Sequence, residues 1–290
     1  MIARAEPQQR VPGTPQFQTV LVDTSLLVEQ QKQEKYAAPV RECLACYQFR
    51  GASSYSKLEF KRAWVQKLGY IHRICRDPHT HTMGDVLDWI ERRLANHPKQ
   101  KRRLQTCLQA LAAFLDRGPA RLSHRAQVVR LEAHCKRIIL DGTRLLDDLV
   151  TAWFKGTGCV RAEEPPTVQR DGSLNVTVSR CNANRTQCGI AKFFAANEGR
   201  FGAIADCVDG LSSPSQELGR IRDQIRQAQR DPQCLCSDEE CKRLADALIA
   251  VDGFGMDAFA ANNPSEWEAI SSALGKCLVN PVSSSRSAPL

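Results

Sequence analysis

No apolar run in this chain approaches the roughly 18 residues needed to cross a bilayer. The first fifteen residues are polar, hold Pro7, Pro12 and Pro15, and lack the apolar centre of a secretion signal. The expectation is a cytoplasmic protein with no membrane partner. Neither a G-x-x-x-x-G-K-[ST] loop nor a G-x-G-x-x-G turn occurs, which sets aside the common phosphate cradles of nucleotide-binding folds. No cysteine sits in a Gly-flanked strand-to-helix elbow, and every histidine lies in one basic segment, so a nucleophilic-cysteine enzyme is disfavoured. An Asp-x-Asp phosphatase is disfavoured too, because Ser25 stands where the second Asp should be.

What is present suits a large folded core. A chain of 290 residues can form one big domain or two ordinary ones, and 42% hydrophobic with 25% charged residues reads as soluble and globular. Thirteen cysteines without a secretion signal imply reduced thiols rather than a disulfide framework. Charge is uneven. Residues 61–150 carry 18 Lys and Arg against 9 Asp and Glu, a surplus larger than the +8 of the whole chain. That segment reads either as a surface for polyanions or as a set of solvated helix faces. Lys99, Lys101, Arg102 and Arg103 are its densest cluster and the candidate nucleic-acid contacts.

The stretch Gln18–Leu27 has β-branched Thr19, Val20 and Val22 ahead of Asp23, Thr24 and Ser25. This predicts a buried strand that ends on an acid, followed by a helix start. Ligands of open α/β sheets bind beyond the carboxyl ends of the strands, so Asp23 is either a metal ligand or only a helix cap. A helix is expected from Ser25 to Lys35, with an interruption at Pro39. Gly51–Ser54 reads as a turn, and Tyr55 to Ile74 as a helix carrying Glu59. Met83–Asn96, Lys99–Leu115 and Ser123–Phe154 read as amphipathic helices. Short strands are expected at Leu174–Val178, Asp257–Ala261 and Leu278–Pro281, and a helix carrying Asp246 over Glu239–Val251. Pro264 is placed to start one more helix.

Four pieces therefore stand in order: Val-Leu-Val-Asp23-Thr-Ser, Ser-x-x-x-x-Glu59, Leu-Ala-Asp246-Ala-Leu-Ile-Ala, and Asn-Asn263-Pro-Ser-Glu266-Trp. This order resembles the PIN-domain (VapC-like) nucleases. The resemblance implies an α/β, three-layer fold with a small parallel sheet, in which these acids converge at one sheet edge. It divides the chain into a flexible segment 1–16, a core in two parts (17–74 and 232–282), a large basic helical and cysteine-containing insertion (75–231) and a flexible tail (283–290). It further implies a Mg²⁺- or Mn²⁺-dependent endoribonuclease that leaves a 5′-phosphate and a 3′-hydroxyl. Asp23, Glu59 and Asp246 would be ligating carboxylates. Asn263 would fill the late position with a neutral oxygen, and Glu266 would act on the metal through water or by holding the other ligands. Thr24 or Ser25 would hydrogen-bond a ligand carboxylate or the scissile phosphate. The chain departs from the family pattern at Ala261, where Thr is common, and at Glu266, where Asp is common.

RNA is the implied partner, with DNA left open, as are a homodimer and an inhibitory protein of the kind that compact toxins of the family have. The alternatives are a non-catalytic protein of the same shape that binds nucleic acid or acts as a scaffold, and a zinc-stabilised helical interaction protein. For the latter, Cys43-x-x-Cys46 has knuckle spacing, and Cys75 with His79 or His81 would complete a structural zinc site. Cys234, Cys236 and Cys241 form a second cluster, and Cys181 with Cys188 a third. The competing reading is buried free thiols packed as small hydrophobes.

Overall fold

The computed structural model describes residues 17–94, 101–116, 118, 122–141, 144–176, 181 and 188–281. The chain begins with β1 (Thr19–Val22), α1 (Thr24–Glu29), α2 (Glu34–Ala45), β2 (Phe49–Ser53) and α3 (Ser54–Phe60). A π-helical stretch, Lys61–Val65, leads on into α4 (Gln66–Cys75). Then come α5 (Met83–Leu94), α6 (Lys101–Asp116), α7 (His124–Asp141), α8 (Arg144–Asp147) and β3 (Ala152–Phe154). A two-stranded antiparallel ribbon follows, β4 (Thr167–Val168) with β5 (Leu174–Asn175). The remainder is α9 (Gly189–Ala196), α10 (Glu198–Asp209), α11 (Gln216–Arg230), α12 (Asp238–Arg243), α13 (Ala245–Asp252), β6 (Ala258–Ala260), α14 (Pro264–Ala273) and β7 (Cys277–Val279).

The fold is α/β, about 64% helix around a five-stranded parallel sheet in the order β3-β2-β1-β6-β7. Alternation along the strands feeds two cores. Val20 and Val22 of β1 and Ala258 and Ala260 of β6 face one layer, built from α1, α2 and α4 to α8. Leu21 and Phe259 face the other, built from α3 and α9 to α14. Every strand residue of the β1–β6 centre from Val20 to Val22 and Ala258 to Ala260 is fully buried, as a parallel sheet covered on both faces requires.

The sheet departs from expectation at two strands. Gly51–Ser53, expected as a turn, belongs to β2, which pairs with β1 at Thr19↔Phe49 and with β3 at Gly51↔Ala152. Gly51 is needed there for closeness rather than flexibility: a Cβ would stand 2.4 Å from the Phe154 ring. The expected helix over 123–154 is instead α7 and α8, and its last residues form β3, which is too short to display a period of its own. The basic helical block is thus not an appendage. It forms the crossover between two adjacent strands of the central sheet, and its apolar faces share a core with β1 and β6.

Pro39 does not interrupt a helix; it lies inside α2, and the break falls earlier, between Gln30 and Gln33. The proline gives up one backbone hydrogen bond, while Ala37, Val40 and Leu44 on the same helix bury a continuous face.

Candidate active site

Strand order reverses at the centre of the sheet: β2 and β3 lie on one side of β1, β6 and β7 on the other. In parallel sheets such a switch point opens a crevice at the carboxyl ends of the strands, where ligands bind. Asp23 stands at that point. It directly follows β1, and its backbone N–H donates to the Ala260 carbonyl at the end of β6 over 3.0 Å.

Asp23 is also the N-cap of α1. Its Oδ2 accepts from the Ser25 backbone N–H at 2.9 Å and from the Ser25 hydroxyl at 2.5 Å. The Ser25 Oγ in turn accepts from the Asn262 N–H at 3.0 Å, which ties the ends of β1 and β6 together. The cap and the candidate ligand are therefore one residue using two different oxygens, because Oδ1 is buried with no hydrogen-bond partner. The Thr24 hydroxyl beside it is likewise buried and unpartnered. A buried acceptor without a donor is costly in free energy, and a cation would satisfy it.

Glu59 comes to the site on α3. Its Oε1 accepts from the Arg62 guanidinium at 2.9 Å, and Arg62 also pairs with Asp238. Asp238 is shared with Arg161, so a line of alternating charge runs away from Glu59. Arg62 sits in the π-helical stretch directly after α3, a widened turn of the kind often found at functional positions. Asp246 comes on the first turn of α13, which packs against α3 and α14.

Electrostatics brings these acids into one group. The Asp246 carboxyl is held well above the usual aspartate range, first by burial and then by the charges of Asp23, Glu59, Glu266 and Glu217. Burial raises Glu59 as well, partly offset by Arg62 and Lys242, with Asp23 adding to the rise. Asp23 is raised by burial against the lowering effect of Ser25 and of the Thr24 backbone N–H. Asp23 and Asp246, more than two hundred positions apart in the sequence, are thus near enough for the charge of one to act on the other.

Other expected members are placed differently. Glu266 is buried on α14 and among the charges acting on Asp246. Asn263 is exposed at the N-cap of α14, and its Oδ1 lies 3.0 Å from the Ser265 hydroxyl. That hydroxyl is also 2.8 Å from Glu266 Oε2, and with one proton it serves one acceptor at a time. The asparagine at the crevice edge is Asn262, whose amide donates to Glu29 Oε1 at 3.1 Å. The backbone N–H of Asn262 that meets Ser25 leaves no trace in residue type.

The donors around Asp23 and Asp246 are carboxylate oxygens, which suit a hard cation such as Mg²⁺ or Mn²⁺. The unpartnered Asp23 Oδ1 fits the same group. Among the described residues, no three His, Cys, Asp or Glu side chains are close enough together to hold a metal ion as they stand. The acids are at electrostatic range, short of a closed ligand shell.

The zinc quartet is not assembled. Cys43 and Cys46 lie at the end of α2, a helix rather than a knuckle, and burial followed by the neighbouring Cys46 pushes the Cys43 thiol up to about 11. Cys75 is buried in the helical layer near Cys135, and burial raises its thiol to about 12. His79 is in the exposed turn before α5. All thirteen cysteines are free thiols. Of the basic cluster, Arg103 is exposed on α6; Lys99 and the side chains of Lys101 and Arg102 lie outside the described residues. Among the described residues no helix is long and apolar enough to cross a membrane.

Comparison with known proteins finds no matching family model, no similar curated protein and no similar solved structure.

Proposed function

We propose that this chain is a divalent-metal-dependent endoribonuclease with a PIN-like core, cutting RNA phosphodiester bonds at the crevice beyond β1 and β6. The observation that supports the reading is the inner oxygen of Asp23, buried and unpartnered directly after β1, together with the effect of the Asp23, Glu59 and Glu266 charges on the Asp246 carboxyl. Acids so gathered repel one another and cannot all ionise without a neutralising cation.

Asp23 and Asp246 would hold the ion, with Glu59 and Glu266 completing the negative wall. What Mg²⁺ or Mn²⁺ supplies when bound is charge for these oxygens and acidity for a water. The chain's own contribution is orientation. Ser25 fixes the Asp23 carboxylate through two hydrogen bonds. Arg62 holds Glu59 at its place on the wall and keeps part of its charge balanced. The positive segment of 61–150 would carry the RNA backbone to the crevice.

The test is cleavage of single-stranded RNA in Mn²⁺ by the wild-type chain, Asp23→Asn and Asp246→Asn. Wild-type activity that falls to the metal-free background in both variants, with folding and RNA affinity kept, is the expected result. Undiminished cleavage by both variants would refute the assignment. The wider-than-ligating spacing of the acids favours a second reading, a non-catalytic RNA-binding protein of the same shape. Wild-type protein that binds RNA but never cuts it would decide for that reading.

A further inference from the structure

A cavity of about 190 Å³ opens between α4 and α6, lined by Gln66, Lys67, Tyr70, Arg103 and Cys107. Its charge is one-sided. Lys67 is half-buried, and the charges acting on it are those of Arg103, Cys107 and Lys242, with no carboxylate among them. Burial and the two like charges hold its ammonium below the ordinary lysine range. Among the described residues its hydrogen bond runs to the Arg62 carbonyl at 2.6 Å, and the ammonium carries three donors in all. Burial raises the Cys107 thiol to about 11, so it is neutral at pH 7 and balances neither cation.

The size narrows the occupant. Pockets for drug-sized ligands run to roughly 300–1,000 Å³, and this one suits a smaller anion. Two cations that repel each other across a neutral floor favour a single anionic group between them, and the amide of Gln66 adds a neutral donor. The position narrows it again. Lys67 on α4 is bonded to the Arg62 carbonyl, and the Arg62 guanidinium is bonded to Glu59 on α3, so the π-helical stretch between these helices links the cavity wall to that acid.

The geometry points to a phosphate-binding subsite in which Lys67 and Arg103 grip a backbone phosphate of a single-stranded RNA. Its role along a cut strand rests on the nuclease reading; the capture of a backbone phosphate does not.

The experiment measures binding of a fluorescein-labelled single-stranded RNA by anisotropy, in EDTA so that nothing is cleaved, for the full-length wild type, Arg103→Gln and Lys67→Gln/Arg103→Gln. Each phosphate contact on a single strand contributes about 0.7 to the slope of log affinity against log salt, so the double variant should flatten it by about 1.4. Raising salt from about 50 to about 200 mM would then weaken the wild type about sevenfold more than the double variant. Arg103→Gln, at an exposed position, should show half of that slope change with its circular dichroism unaltered. An unchanged affinity and slope in folded Arg103→Gln overturns the subsite. A 5′-mononucleotide bound as tightly as the strand overturns RNA as its source. Loss of binding in the variants alongside a wild type that never cleaves RNA would sink the nuclease reading and leave the subsite standing.

Discussion

Replacing Asp246 by asparagine should make the metal-free protein more stable, the opposite of what most substitutions do. Asp246 shares its crevice with the charges of Asp23, Glu59 and Glu266. At an effective dielectric of about 20, one pair of like charges separated by on the order of 7 Å repels by about 2 kcal/mol. Asparagine keeps the shape and cannot ionise, so it escapes both the cost of burying a charge and that repulsion. Unfolding a chain of 290 residues carries an entropy of about 0.6 kcal/mol per kelvin near 60 °C, so a gain of about 2 kcal/mol appears as a Tm higher by about 3 °C. The pH dependence follows from the direction of the shift. The folded-state pKa lies above the ordinary 3.8, so the folded chain keeps a proton that the unfolded chain has released. Stability of the wild type therefore falls as pH rises from about 4 towards the folded value, and Asp246→Asn escapes that fall. Differential scanning fluorimetry in EDTA at pH 5 and pH 8 reads this directly. The variant's advantage should be larger at pH 8, and Mn²⁺ should raise the wild-type Tm while leaving the variant's unchanged. A variant less stable than wild type at pH 8, or one stabilised by Mn²⁺ to the same extent, would refute the reasoning.

The surrounding framework yields further expectations. Ser53→Ala removes a 2.6 Å bond to Asp252 and the N-cap of α3, so it should cost about 2 kcal/mol in urea unfolding. The loss should be larger at pH 8 than at pH 5, because the Ser53 bond favours the ionised Asp252 that burial disfavours. Gly189→Ala would place a Cβ 2.3 Å from the Gly158 carbonyl oxygen, a backbone clash worth about 2 kcal/mol or more. Gly199→Ala, whose Cβ meets nothing within 4 Å, should instead stabilise α10 by about 0.5 kcal/mol. Arg62→Gln takes the cation from Glu59 and should move the acid limb of the cleavage pH profile to higher pH; an unmoved limb would remove Glu59 from the charge balance of the site.

Some of this was legible in the residues. β1 declares itself through Val20, Leu21 and Val22 ahead of a capping acid, and the Ala258–Ala260 strand is set off by Gly253 and Gly255. The acid within the apolar run Ala245–Val251 stands out for the same reason that it is strained: desolvation is what makes it conspicuous. β2 is hidden because Gly51 and Ala52 carry no alternation, and the ring that covers Gly51 belongs to Phe154, a hundred residues on. β3 was hidden by its three-residue length. Cys43-x-x-Cys46 leaves zinc and free thiols open because helical spacing and knuckle spacing share the same interval, and only the surroundings of α2 tell them apart. The bonds of Asn262 to Ser25 and of Asn263 to Ser265 are set by the turn into α14, which residue types do not encode.

The central claim is that Asp23 and Asp246 take hold of one divalent ion at the end of β1. Isothermal titration of the wild type with Mn²⁺ tests it most directly. The account predicts stoichiometric uptake that Asp23→Asn and Asp246→Asn each abolish, whereas no uptake, or uptake that survives in both variants, would contradict it.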